Sequence, residues 1–384
     1  SSDGEQRQVA VYYDDVPVSS FSVITPNLRL FDIERVEVLR GPQGTSFGSG
    51  SLSGAVRVVT KKADLSDFDA AVRMDYANVD EGGTRQRLSG MINTPITDQL
   101  AVRAVIYDRD EGGFIDNQGT FGAPLINDSN DSQDRGYRFS GVWEPFDTFK
   151  VTLAHSFDEQ FTGSFTQAQN FGLGVGQRAT FFPEYLDVEL DITSVNVEYD
   201  LGWAVATHNT SVSSQLTAWD LDLDALFGPA LAFGYGETLD HDTTIHELRL
   251  ISSSDSSLAW LAGVYSFDLD ADANGAQFVD PDVLALFGVD SSVIPKDRAW
   301  GVTAGTVNRR VTNEELAVYG ELSWPFSDAI TVKVGGRYSQ YSYTRVNQEN
   351  YVSNVLDLAF SGGGLAATSP VLDEEYTTGD KSES

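Results

Sequence analysis

Two alternations run through this chain, and the second constrains the fold more than the first. Within single segments, apolar and polar residues alternate with a period of two. Val195-Asn196-Val197-Glu198-Tyr199-Asp200-Leu201 does so without a fault, and so does Phe149-Lys150-Val151-Thr152-Leu153. Leu316-Ala317-Val318-Tyr319-Gly320-Glu321-Leu322 follows if Ala317 counts as neutral. This period puts apolar side chains on one face of a sheet. No long segment has helical periodicity of comparable quality. The connections then alternate in length. Three tight turns look alike, at Thr94 to Asp98, Glu144 to Thr148 and Trp324 to Asp328, and two more are expected near Leu201-Gly202 and Ser253 to Ser257. Long polar connections separate them: 110–133, 161–185, 220–240, 271–309 and 346–372. A transmembrane barrel has short periplasmic turns and long outer loops. A soluble sandwich has no reason to sort its loops this way.

The tryptophans agree with that reading. Trp143, Trp203, Trp260 and Trp324 all lie beside tight turns, where an indole suits a membrane interface. Any one of them would pass as a strand-end core residue; four at equivalent places predict a girdle. Strands are expected at 68–78, 85–94, 100–109, 134–144, 149–160, 186–201, 203–218, 241–254, 258–270, 311–324 and 330–345, with a twelfth after Leu372.

Charge narrows the partners. The 25 basic and 57 acidic residues leave a net charge of −32, a surface that repels nucleic acid. Without cysteine there is no disulfide and no thiolate metal site. No stretch reaches the roughly 18 apolar residues of a membrane helix. The opening SSDGEQRQ lacks the apolar core of a secretory signal, and the chain reads as starting inside a larger protein.

Residues 9 to 62 differ in character. Val36, Val38 and Leu39 make a short apolar strand, and Val56, Val58 and Val59 make another. Between them Gly41, Gly44, Gly48, Gly50 and Gly54 permit tight turns. The glycine spacing fits neither dinucleotide nor P-loop patterns. This stretch resembles the second half of the plug domain of TonB-dependent receptors. The match runs through Tyr13-Asp14-Asp15-Val16-Pro17, then Asp32-Ile33-Glu34-Arg35-Val36-Glu37-Val38-Leu39-Arg40-Gly41-Pro42-Gln43-Gly44-Thr45, and on through Phe47-Gly48, Gly54 and Val56 to Lys62.

The resemblance implies an all-β fold: a transmembrane antiparallel β-barrel carrying part of an α+β plug domain. Residues 1–64 would be the C-terminal part of the plug and 65–384 the N-terminal half of the barrel, with 11–12 of about 22 strands. It implies an outer-membrane importer of a scarce nutrient, most often a ferric siderophore, worked by the inner-membrane energy-coupling protein TonB and surrounded by outer-membrane lipid. It implies no enzyme activity and no cofactor. Vitamin, haem or glycan import and a signalling receptor are alternatives within the family. A barrel enzyme and a soluble adhesin are alternatives outside it.

The resemblance also implies site residues. Thr45, Ser46, Phe47, Gly48 and Ser49 would be a plug apex facing the outer vestibule, where ligand rests. The family often has Tyr where Phe47 stands, so a stacking face is kept and a hydroxyl donor lost; packing of Phe47 on the barrel wall is the alternative. Glu37 and Arg40 would belong to a lock between plug and barrel, Arg40 resembling the arginine that family members pair with barrel glutamates. A pair with Glu37 or Glu34 inside the plug is the other possibility.

Two metal signals are weighed and set aside. His241 and His246 are five apart and so face opposite sides of a strand. Asp270, Asp272, Asn274 and Gly275 resemble the start of a calcium loop, but the twelfth position is Pro281 where a bidentate Glu is needed. The plain reading there is an acidic strand end leading into a solvated loop.

Overall fold

The computed structural model describes residues 9–18, 24–41, 54–119, 125–164, 176–223, 233–253, 258–280, 302–327, 330–351 and 372–383. Two main sheets form among them. The small one contains β1 (Val9–Tyr13), β2 (Val16–Pro17), β3 (Ile33–Arg40) and β4 (Gly54–Thr60), in the order β2-β1-β4-β3. The β1 and β4 strands run parallel, while β2 and β3 pair antiparallel at the edges.

The large sheet is a wall of twelve strands in chain order, each antiparallel to its neighbour. It begins with β5 (Asp69–Asn78), β6 (Thr84–Thr97), β7 (Leu100–Glu111), β9 (Ser132–Phe146) and β10 (Phe149–Thr162). It continues with β12 (Tyr185–Asp200), β13 (Ala204–Asp222), β14 (Phe233–Ser252) and β15 (Ala259–Val279), and ends with β16 (Val302–Ser327), β17 (Ile330–Tyr351) and β18 (Leu372–Glu383). A parallel bridge of β8 (Asp116–Asn117) and β11 (Gln177–Arg178) ties two of the long connections together. The short and long connections alternate as the sequence predicts. One tight turn follows Asp200, whose carboxylate accepts from the Gly202 amide at 2.8 Å, with Gly202 at φ +83°.

Period two sorts the wall's faces. On β9, Tyr137, Phe139 and Trp143 point outward and are exposed, while Arg138, Ser140 and Val142 point inward and are buried. The registers extend the outward set sideways: Leu100, Trp143 and Val151 lie in one row, Ala104, Phe139 and His155 in another. Above these rows the outward positions turn charged, at Asp108, Arg135, Glu159, Asp191, Asp268 and Glu314. The apolar band is about eight residues deep, or roughly 26 Å of strand at ~3.3 Å per residue. At barrel-like tilt that is about 20 Å of height, most of the ~25 Å apolar belt of an outer-membrane barrel. Trp143, Trp203 and Trp324 are 48%, 60% and 51% exposed at the short-turn margin, and Trp203 stacks on Trp260 with ring centroids 6.0 Å apart.

The upper strands run farther than hydrophobic periodicity indicates. The segment expected at 258–270 is a strand to Val279, and the one expected at 311–324 starts at Val302. From Asp268 upward, Asp268, Asp270 and Asp272 face out while Leu269, Ala271 and Ala273 are buried. The ladder persists where both outward face and surroundings are polar, so the apolar signal fades before the strand does. This overturns the strand-end reading of Asp270 to Gly275. All six residues sit inside β15, where alternate carboxylates stand in a row and no loop folds around an ion. His241 is 5% exposed and faces in, and His246 faces out beside Thr210 and His208.

Candidate functional site

The small sheet lies against the inner face of the wall, and their junction is where the chemistry gathers. Asp14, at φ +53° between β1 and β2, accepts from the Thr60 amide at 2.8 Å and from Lys62 Nζ at 2.6 Å. This closes the sheet at the point where the chain leaves it. The linker that follows is strapped to the wall. The Ala63 amide donates to Ser140 Oγ at 3.0 Å, and Ala63 itself packs with Ala101 and Val142. Asn93, 1% exposed on β6, accepts from the Asp64 amide and donates to the carbonyls of Asp64 and Asp67, all within 2.9 Å.

A second strap precedes β3. Asn27 exchanges two hydrogen bonds with the Gln160 side chain, at 2.9 and 3.2 Å. Arg29 pairs with Asp134 of β9. That carboxylate also meets Arg109 at 3.3 Å, and a chain of alternating charge runs on through Glu111 to Arg87. Asp32, at φ +55°, is held by Arg103 of β7 in a two-pronged pair, with Nε to Oδ2 at 2.8 Å. The two side chains are only 5% and 4% exposed. Arg138 of β9 donates to the carbonyls of Phe31 and Asp32, the latter at 3.1 Å. A planar guanidinium suits both tasks. Burial pushes the Tyr13 phenol up to about 12, against the opposing pull of Arg138, which approaches it at 3.5 Å.

Glu37 and Arg40, expected to lock plug to barrel, both stand on β3. Glu37 is engaged within the small sheet by Arg35 at 2.7 Å and Arg57 at 3.5 Å. The Arg35 hydrogen bond chiefly holds its carboxyl below the usual range. Arg40 closes β3 opposite Gly54. Two wall glutamates that approach Tyr12 of β1 have arginines of the wall beside them, Arg249 at 2.5 Å from Glu247 and Arg337 at 2.9 Å from Glu315. Thr45, Ser46, Phe47, Gly48 and Ser49 lie outside the described residues. Their anchors are described: they connect Arg40 to Gly54, where φ is +145° and a Cβ would stand 2.4 Å from the Leu39 carbonyl oxygen. Only glycine fits there.

Reading the sequence missed Asp32 as an anchor, together with Arg29, Arg103, Arg138, Asn93 and Ser140. A signal for Arg103 exists in hindsight. It stands in Ala101-Val102-Arg103-Ala104-Val105-Ile106, apolar on both faces, where a lone arginine needs a buried partner.

Comparison with known proteins agrees with this architecture. Residues 2–55 match the TonB-dependent receptor plug domain. The ferric enterobactin receptor of Pseudomonas aeruginosa is 32% identical over 72 residues, which is 18% of this chain and 10% of that protein. The pesticin receptor of Yersinia pestis is 34% identical over 109 residues, 28% of this chain and 15% of that protein. Among solved structures, the ferric yersiniabactin uptake receptor of Yersinia pestis superposes with a TM-score of 0.73 at 16% identity, over 98% of this chain and 51% of that one. The ferric-catecholate import receptor of E. coli K12 gives 0.62 at 14%, over 99% of this chain and 59% of that one. This chain thus spans about half the length of the solved receptors it resembles. Identities this low carry the fold alone. The chain combines a match to the TonB-dependent receptor plug domain with an antiparallel wall that has the fold of the TonB-dependent outer-membrane receptors.

Proposed function

We propose that the chain is part of an active importer that takes a scarce nutrient across the outer membrane, with a ferric siderophore as its cargo. The carrying observation is a plug-type sheet pinned by a buried ion pair to the inner face of a wall whose outer face carries an apolar band. A cork so held blocks a lumen at rest and has to be moved by work. TonB would supply that work from the inner membrane. In this reading residues 1–64 are plug and 65–384 wall, and the twelve strands close with others into a barrel of about 22, wide enough to hold a plug. Relatives named for ferric enterobactin and for ferric yersiniabactin uptake support the choice of cargo.

Thr45 to Ser49 would meet the cargo from below, with Phe47 offering a stacking face. Glu37 and Arg40 would help register the plug in the lumen. A strain lacking the gene, grown on single iron sources, is expected to lose growth on one ferric siderophore and keep it on the others. Full growth on every source tested, with loss on a vitamin or glycan instead, would replace the cargo. With that siderophore in hand, Phe47→Ala in the full-length receptor is expected to weaken binding about tenfold, the scale of one lost aromatic contact. Unchanged affinity removes Phe47 from the site.

A further inference from the structure

The inner face of β12 changes chemistry halfway along. Toward the long-loop end it presents Val188, Leu190 and Ile192, each at most 5% exposed. Toward the short-turn end it presents Ser194, Asn196 and Glu198. The plug meets only the upper chemistry in one apolar cluster, where Tyr13, Val16, Val18 and Val58 pack with Leu190 and Ile192. Beneath that cluster the packing opens into a cavity of about 280 Å³, lined by Ser194, Asn196 and Glu198, by Asn209 and Ser211 of β13, and by Lys62. At ~30 Å³ each, roughly nine waters fit such a volume.

The cavity does not end there. Glu34, Lys61, Lys62 and Lys150 line both it and a groove of about 1100 Å³ along the linker. A wet path therefore climbs from the short-turn side and stops under the apolar cluster. On the other flank the plug is tied down: the straps at Asn27 to Asp32 and at Ala63 to Asp67 fasten to β6, β7, β9 and β10 through charge and hydrogen bonds. Over β12 the plug and wall meet by apolar packing wider than the small contact of Ala63 with Ala101 and Val142, and separating it breaks no ion pair within the cluster.

We propose that this contact is the seal on the cargo route. Lifting Tyr13, Val16 and Val18 off Leu190 and Ile192 joins the outer vestibule to the polar path below, while the strapped flank holds the plug in register. The proposal rests on the importer reading, but its test needs no cargo. The probe is an impermeant charged maleimide added to intact cells that carry the full-length receptor. With the seal intact, Ser194→Cys is expected to stay unlabelled beside an exposed control, Leu125→Cys. Adding Leu190→Ala opens a void in the seal and is expected to raise Ser194→Cys labelling about fivefold. Should Leu190→Ala lower the amount of folded receptor, Leu190→Val is gentler and is expected to act in the same direction. Strong labelling of Ser194→Cys behind an intact seal overturns the proposal, and so does labelling that neither variant raises. Because iron uptake is not read, loss of the importer reading and loss of the seal appear in separate experiments.

Discussion

Asp32 is a carboxylate with almost no contact with solvent, so its partner decides whether it is tolerable there. Removing one member of a buried pair typically costs about 3–5 kcal/mol, because a charge is left alone. Arg103→Ala is therefore expected to loosen the plug by that order, seen as earlier cleavage of residues 24–41 by trypsin and release at lower urea. The double variant Arg103→Met, Asp32→Leu is expected to recover most of the loss; equal damage from it would mean that the pair's charge is not what seats the plug. Tyr13 gives a pH signature. Its phenol is raised from 10.0 to about 12, and the stability it contributes is complete below the unfolded value. That stability is lost as pH climbs through the folded one. Plug seating is thus expected to weaken between pH 10 and 12, and Tyr13→Phe to weaken less across that window. At this scale the sequence is legible only in part. Gly54 and the hairpin it closes follow from local sterics, whereas Asp32 and Arg103 stand 71 residues apart, and nothing local to either announces the other.

Strands are where the sequence speaks most clearly, and it does so only inside the lipid band. Where the outward face must be apolar, alternation is strict, and the start of β10 follows from it. Above the band the outward face is as polar as the water beside it. The last third of β15 then looks like loop although its ladder with β14 continues unbroken to Val279. One substitution pair separates the regimes. Val264, 45% exposed at mid-band, is expected to lose about 2–4 kcal/mol as Val264→Arg, the midplane cost of a cation on the lipid face. Asp272→Arg, on the same face of the same strand but above the band, is expected to stay within about 0.5 kcal/mol, as surface changes usually do. Denaturant unfolding in lipid vesicles measures both, and equal costs would remove the band from its assigned height.

Taken whole, the molecule has two ends, and its connections sort between them. A cysteine at Leu125, 57% exposed among the long connections, is expected to react with an impermeant thiol reagent on intact cells. One at Leu201, 40% exposed in a tight turn, is expected to react only after the envelope is opened. Labelling of both alike would invert or abolish the sidedness. That sidedness, with the division into plug and wall, is readable from loop lengths and one motif. The seating of plug on wall is not, since it depends on inward residues scattered over five strands. The long upper strands carry one more implication. From Glu314 up to Val302, β16 rises about 13 residues past the apolar band, roughly 30 Å at ordinary strand rise and barrel tilt. On the importer reading the entrance would stand well clear of the lipid headgroups. The outside of that collar bears Asp240, Asp268, Asp270 and Asp272, all exposed. A phosphate-bearing coat is repelled by such a surface over about 8 Å at physiological salt, far enough to keep its chains from lying down across the mouth.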